Sequence, residues 1–185
     1  MLNHIGTQNI ETSRLILRKF KMQDAKQMFE NWAGDPDNVE FMRWPVHKSV
    51  QETEKIIANW VEQYNDIKNY NWCITWKETQ EVIGSITVND LIELRESCEI
   101  GYIISKKFWN KGIMTEALHA VLEYLFKKVG FHRIQLRHDA ANPASGKVMI
   151  KNGLKFEGLL RESERLTSGI WSDAALYSIL NSEFE

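Results

Sequence analysis

Between residues 14 and 20 the chain alternates, with Leu15 and Leu17 on one face, as a half-buried strand does. The period then lengthens. Ala25, Met28, Phe29 and Trp32 recur at helical spacing over residues 22–34, with Asp24 as the expected cap and Gly34 before Asp35-Pro36 as the stop. A turn-rich stretch, DPDNVEFMRWPVHK, leads to a second helix. There Ser49-Val50-Gln51-Glu52 has the form of a capping box, and Ile56, Ile57, Trp60, Val61 and Tyr64 share a face.

Strand spacing returns at Trp72, Ile74 and Trp76, interleaved with Cys73 and Thr75. EVIGSITVN (81–89) and CEIGYII (98–104) follow on short links, which predicts a three-stranded antiparallel meander. Met114, Ala117, Leu118, Val121, Leu122, Leu125 and Val129 form an amphipathic stripe, and Gly130 sits at the expected helix stop. Alternation resumes at 133–137, a short helix is expected over 142–152 before Gly153, and two last strands around 154–159 and 171–180. No internal repeat or linker divides the chain. The pattern predicts one α+β domain, residues 1–185, in which a β–helix–β unit follows a meander.

Composition narrows the classes of function. The 185 residues suffice for one domain with its own core, and 43% hydrophobic with 26% charged residues is a globular balance. A formal net charge of −2, without any lysine- or arginine-rich block, argues against nucleic acid as a partner. No apolar run is long enough to span a bilayer, and MLNHIGTQNIETSR lacks the apolar centre of a signal peptide, so a cytoplasmic location is expected. Cys73 and Cys98 stand alone, which suggests neither a disulfide framework nor a metal site. Seven tryptophans are enough either to pack a core or to line a pocket, and packing is the commoner use.

Chemistry concentrates at FWNKGIMTEALHAVLE, 108–123. A helix start exposes unpaired N–H groups at the positive end of the macrodipole, and phosphates bind there. Gly112 offers close approach, Lys111 a mobile charge and Thr115 a hydroxyl. Neither a Walker loop nor a G-x-G-x-x-G fingerprint is present. Taken alone, the turn reads first as an ordinary helix start.

Its neighbours add a family likeness. EIGY at 99–102, FWNKGIMTEA at 108–117, N-P-A-S at 142–145 and KNGL at 151–154 stand in the order and spacing of the acetyl-CoA-binding core of the GNAT N-acetyltransferases. ETSRLILRKF at 11–20 and SGIWSDAALYSIL at 168–180 resemble the first and last strands of the RimJ/RimL-like branch, so the likeness covers nearly the whole chain. Two positions depart from the pattern: Asn110 stands where glycine is usual, and Met114 where alanine or glycine is usual.

The resemblance implies a GNAT-like fold, with a central mixed, mostly antiparallel sheet flanked by helices. It implies direct transfer of acetyl from acetyl-CoA to a primary amine, with no metal. The backbone from Trp109 through Asn110, Lys111, Gly112, Ile113 and Met114 to Thr115 would take the diphosphate, and the main chain of Ile103 and Ile104 would pair with the pantetheine. An N–H near Ile103 would serve the thioester oxygen, and Asn142 would bond the pantetheine or support its turn. Ser145 would protonate the leaving thiolate, although it is equally a helix-start hydroxyl. Glu99 is the candidate base, with a pKa raised by burial beside tryptophans; the alternatives are that it is structural or binds the cationic amine. His138 is a second candidate base.

On the acceptor side the resemblance points to Phe41, Arg43 and Trp44, with Trp72 across from them. The branch implies a protein N-terminal amine as acceptor, of the ribosomal-protein kind. Small amines such as polyamines or aminoglycosides, and a non-catalytic acyl-CoA-binding module, are the alternatives. A homodimer through the C-terminal strands is a further implied partner.

Overall fold

The meander and the β–helix–β unit join into a single eight-stranded sheet, in a computed structural model that describes residues 1–184; Glu185, the last residue of the expected 1–185 domain, lies outside the described residues. The strands are β1 (Ile10–Glu11), β2 (Leu15–Arg18), β3 (Asn71–Trp76), β4 (Val82–Ile92), β5 (Ser97–Ile104), β6 (Arg133–Asp139), β7 (Lys155–Arg165) and β8 (Trp171–Leu180). Their order across the sheet is β1-β2-β3-β4-β5-β6-β8-β7. All neighbours are antiparallel except β5 and β6, which run parallel because helix α4 (Ile113–Tyr124) crosses between them. The expected mixed, mostly antiparallel sheet is therefore present.

Alternation divides the core in two. Leu15, Leu17, Trp72, Ile74, Ile100 and the stripe of α4 pack on one face with Met149 of α5 (Pro143–Lys151). Cys73, Val82 and Ile103 pack on the other, against Met28 and Trp32 of the first helical segment and Ile57 of α3 (Val50–Gln63). Met114 is buried in the first of these clusters, so the bulky departure from the family pattern points into the core and away from the turn.

Several local expectations are corrected. The helix expected over 22–34 is a 3-10 turn, then α1 (Ala25–Met28), then a widened π segment over Phe29–Ala33. Asp24 does not cap α1; its carboxylate accepts the Lys21 amide at 2.7 Å and a bidentate pair from Arg18 at 2.7 and 2.9 Å. The capping box at Ser49 is half formed. Ser49 Oγ accepts from the Glu52 amide, but Glu52 reaches past Ser49 to the Lys48 amide at 2.7 Å. The apolar face of α3 is also narrower than its sequence suggests, since Ile56 and Val61 are exposed. The turn-rich stretch contains a four-residue helix, α2 (Pro36–Val39), capped by Asp35.

The strand pair that carries the site is held at a close approach. Gly84 of β4 lies opposite Ile104, and a Cβ on Gly84 would stand 2.4 Å from the Ile103 carbonyl oxygen. Backbone cannot yield as a side-chain tip can. Gly84→Ala is expected to lose about 1–3 kcal/mol of stability by denaturant unfolding; an unchanged midpoint would show that the two strands separate freely.

Candidate active site

β5 and β6 pair only from Ser97 to Glu99 against Arg133 to Gln135. Beyond those residues they diverge, and the sheet opens between them. The hydrogen-bond phase of β5 follows from its register. Ser105 donates its amide to the Ile83 carbonyl, so Ile103 and Gly101 are the hydrogen-bonded partners of Ser85 and Thr87. The main-chain groups of Ile100, Tyr102 and Ile104 therefore face the opening. This corrects two expectations. The amide and carbonyl of Ile103 are spent on β4, and the Ile104 carbonyl is taken by Trp109 Nε1 at 3.0 Å and Asn38 Nδ2 at 3.1 Å. The groups on the opened edge are those of Ile100 and Tyr102 and the Ile104 amide.

A cavity of about 500 Å³ fills the opening and reaches both faces of the sheet. On the α5 side Tyr102, His138, Asp139, Asn142, Ser145 and Met149 line it. Tyr102 donates its hydroxyl to the Ser145 carbonyl at 2.9 Å, and burial pushes its pKa up, so it remains a neutral phenol. His138 Nδ1 donates to the Asp139 carbonyl at 2.7 Å, and its Nε2 is buried without a partner. On the α1–α3 side the lining is Met28, Trp32, Trp44, His47, Ile56 and Trp60. Phe41 and Arg43 also line the cavity.

Trp72 does not. It is wholly buried on the opposite face among Tyr70 and Tyr124, and donates its indole N–H to the Gln8 carbonyl at 2.8 Å. Its alternation with Ile74 puts it on the α4 face, so its expected place across from the acceptor loop is corrected.

Where the two sides meet stands a four-member ion network. Glu99 is buried, and both its oxygens accept from Arg137 Nε, at 3.0 and 2.9 Å. Gln135 adds a hydrogen bond at 3.1 Å, and Arg43 lies at 3.7 Å. Glu164 closes the ring, contacting Arg43 at 2.7 Å and Arg137 at 2.9 Å. Guanidinium groups are what touch Glu99, where tryptophan faces had been expected. Arg137, Gln135 and Glu164 carried no sequence signal of their own, although Gln135 and Arg137 share one face of β6 by simple alternation.

The turn before α4 is built as an anion cradle would be. Asn110 and Gly112 both adopt left-handed backbone, φ 59° and 71°. Asparagine tolerates that region, which accounts for its standing in for glycine. Ile113 and Met114 send their side chains into the core, so the first turn of α4 presents main chain together with Thr115. Lys111 Nζ sits 5.4 Å from the centre of the Phe108 ring, and Trp109 pins the turn to β5 through its indole. A second cavity of about 550 Å³ lies beside Gly112 and Thr115, bordered by Thr12, His119, Lys151 and Asn152.

Two motifs about a hundred residues apart prove to be one clamp. Glu116, in the first turn of α4, accepts from Thr12 Oγ1 at 2.6 Å, Ser13 Oγ at 2.9 Å, the Arg14 amide at 3.0 Å and Arg14 Nε at 2.7 Å. Arg14 also donates to the Lys111 carbonyl at 3.0 Å, which holds the turn against β2. Desolvation works to raise the Glu116 pKa, but these hydrogen bonds outweigh it and hold the carboxyl down at about 2. A folded pKa below the ordinary 4.5 means this stabilisation is complete above pH 4.5 and is lost as pH falls toward 2. Glu116→Gln is expected to cost about 1–3 kcal/mol at neutral pH and to flatten the acid side of the stability curve between those values. A variant as acid-sensitive as the parent would show that the clamp contributes nothing there.

The acceptor loop is tied down separately. Lys106 bridges Asp35 at 2.8 Å and Asp37 at 3.0 Å, its amide donates to Asn38 Oδ1, and the Lys106 ammonium holds Asp35 below the usual carboxylate range. Two of the acidic residues of that loop, Asp35 and Asp37, are thereby already paired.

Comparison with known proteins agrees with this geometry. The acetyltransferase (GNAT) domain family matches residues 14–155. An uncharacterized N-acetyltransferase of Bacillus subtilis (strain 168), YoaA, is 30% identical over 171 residues, 92% of this chain and 96% of that protein. The ribosomal-protein-serine acetyltransferase of Escherichia coli (strain K12) is 27% identical over 138 residues, 74% of this chain and 75% of that protein. A crystal structure of a GNAT-family acetyltransferase from Bacillus anthracis superposes with a TM-score of 0.83 at 26% identity, over 95% of this chain and all of that one. The chain belongs to the GNAT acetyltransferase family and is an acetyl-CoA-dependent N-acetyltransferase. No helix among the described residues is long and apolar enough to cross a membrane.

Proposed function

We propose that residues 1–185 act as one domain that acetylates the N-terminal amine of a protein or peptide. The observation that carries this reading is the cavity through the opened β5–β6 pair, which joins the free edge of β5 and the α5 side of the sheet to an acceptor lobe on the other face. Bound acetyl-CoA supplies the thioester whose carbonyl the amine attacks, with CoA leaving as the thiol.

The chain's own groups then divide the work. The first-turn amides of α4, with Asn110, Lys111, Gly112 and Thr115, hold the diphosphate at the positive end of the helix. The second cavity beside Gly112 and Thr115 leaves room for the remainder of the cofactor. The opened edge of β5 at Ile100, Tyr102 and Ile104 offers the pantetheine a strand-like partner and the thioester oxygen an amide donor. Asn142 and Ser145 flank that edge, and the Ser145 hydroxyl is the proton donor for the departing sulfur. Glu99 receives the amine; Phe41, Arg43 and Trp44 form the acceptor's side of the passage. No carboxylate on the passage stands without a partner, which suits one terminal amine better than a polyamine or an aminoglycoside.

We also propose a second copy of the chain as partner at β7. This outer strand has one pairing neighbour, β8, and exposes Phe156 and Leu159, with Trp171 exposed at the other end of the hairpin.

Incubation with acetyl-CoA and a mixed panel of peptides, polyamines and aminoglycosides, read by mass, tests the reading. Acetyl on a peptide terminus is the expected result. Modification of polyamines or aminoglycosides alone would overturn the peptide assignment, and saturable cofactor binding without transfer to any amine would favour the non-catalytic alternative.

A further inference from the structure

The α1–α3 end of the cavity is mainly apolar and carries no net charge. Met28, Trp32, Trp44, Ile56 and Trp60 wall it, with Ile103 of β5 also on the lining. The titratable ring in that wall, His47, is buried, and desolvation pushes its pKa below the usual value; its Nδ1 pairs with Thr53 Oγ1 at 2.8 Å. A neutral imidazole adds no charge to the lobe at physiological pH.

Every carboxylate on the cavity lining is occupied. Glu99 is held by Arg137, Glu164 by Arg43 and Arg137, and Asp139 by the Ala141 amide at 2.8 Å and Ser172 Oγ at 2.5 Å. A polycation needs several uncompensated acceptors, and a polyol needs hydrogen-bonding walls. The lobe offers no uncompensated charge, and its hydrogen-bonding groups, the Trp32 indole N–H, His47 and the Ser85, Thr87 and Asn89 side chains of β4, stand among the faces of three tryptophans. A bulky apolar group, in contrast, is favoured by the apolar area it removes from water there.

We propose that the acceptor is a monoamine that carries a large apolar side chain next to the amine, and that this side chain sits in the lobe while the amine reaches Glu99. In peptide terms the first residue is Leu, Met or Phe, not Ala or Ser. The inference rests on the cavity being the acceptor site, and it names the class of acceptor which that site selects. A single methylene in an apolar pocket discriminates by roughly 10–200-fold, so a whole aromatic ring is expected to give at least the lower figure.

The test compares two peptides identical except for a first residue of Phe or Ala, alongside phenethylamine and spermidine, by initial rates of CoA release. The expected result is a kcat/KM at least about tenfold higher for the Phe peptide, with Trp60→Ala removing most of that ratio through a higher KM for the Phe peptide. Equal or better use of the Ala peptide would overturn the inference while leaving the peptide reading intact. Transfer to phenethylamine but to neither peptide would support the inference and overturn the peptide reading. Transfer to spermidine alone would sink both. A ratio unmoved in Trp60→Ala, with the variant shown folded by circular dichroism, would place the side chain elsewhere and overturn the assignment of the lobe. If no acceptor turns over, calorimetric binding of phenylalaninamide and alaninamide in the presence of CoA reads the same preference, and equal affinities would overturn it.

Discussion

Gly112→Val is expected to weaken acetyl-CoA binding by at least about tenfold, or 1.4 kcal/mol, while the protein stays folded. Two effects combine. Gly112 sits at φ 71°, a region that costs an L-residue roughly 1–2 kcal/mol and a β-branched one more. The protein itself has room for the side chain, because the nearest atom to an added Cβ is Arg14 Nη2 at 3.8 Å. The added Cβ therefore meets no wall of the protein; the side chain is expected to extend into the space outside the first turn of α4, where the diphosphate is proposed to lie. Thermal unfolding should drop by only a few degrees, and calorimetric titration with acetyl-CoA should lose most of its affinity. An unchanged Kd would move the cofactor away from this turn. Loss of affinity together with wholesale unfolding would mean that the turn is a folding element first, and Gly112→Ala, which adds a single methyl group, would then separate the two.

Much of the fold was legible because most elements carry their own period. β2 alternates, and the α4 stripe runs unbroken from Met114 to Val129 through a helix that widens to a π segment at its end. Elements too short to carry a period were missed: β1 is two residues and α2 is four. β7 was read short because its polar end, RESER, presents no apolar rhythm, and it extends to Arg165. The cofactor turn was legible as a motif, since Lys111, Gly112 and Thr115 lie in one segment. The amine end was not. Glu99, Arg137, Glu164 and Arg43 come from two neighbouring strands, a distant hairpin and a loop, and only the tertiary fold brings them together. The free edge of β5 was off by one residue for a related reason. Which carbonyls point outward depends on the phase of pairing with β4, and side-chain alternation does not report that phase. Trp72 and Trp44 show how far residue type alone misleads: one is wholly buried core and the other lines the cavity, and strand alternation with Ile74 was the clue that separates them.

Glu99→Gln addresses the remaining chemical question, what the buried carboxylate does to the amine. Two guanidinium groups and Gln135 already use its oxygens, and Arg137 engages both. A carboxylate so compensated is suited to accepting a hydrogen bond from the neutral amine and turning its lone pair toward the thioester, while the amine's extra proton is lost to water. The glutamine keeps the volume and one acceptor oxygen, so the fold should persist, although Arg137 then depends more heavily on Glu164. A hydrogen bond to a charged group contributes about 1.5–3 kcal/mol, so KM for the acceptor is expected to rise roughly 10–100-fold with a smaller change in kcat. The pH dependence distinguishes the roles. If Glu99 orients the amine, the rise of kcat/KM with pH follows deprotonation of the acceptor and survives in the variant. Were Glu99 the base, kcat would fall about 10²–10⁴-fold and the limb of the profile belonging to its carboxyl would vanish. The first pattern makes the Arg137–Glu164–Arg43 ring a positioning frame for Glu99. The second would require one of those arginines to withdraw when the acceptor binds, and Arg43, on the loop and half exposed, is the one free to do so.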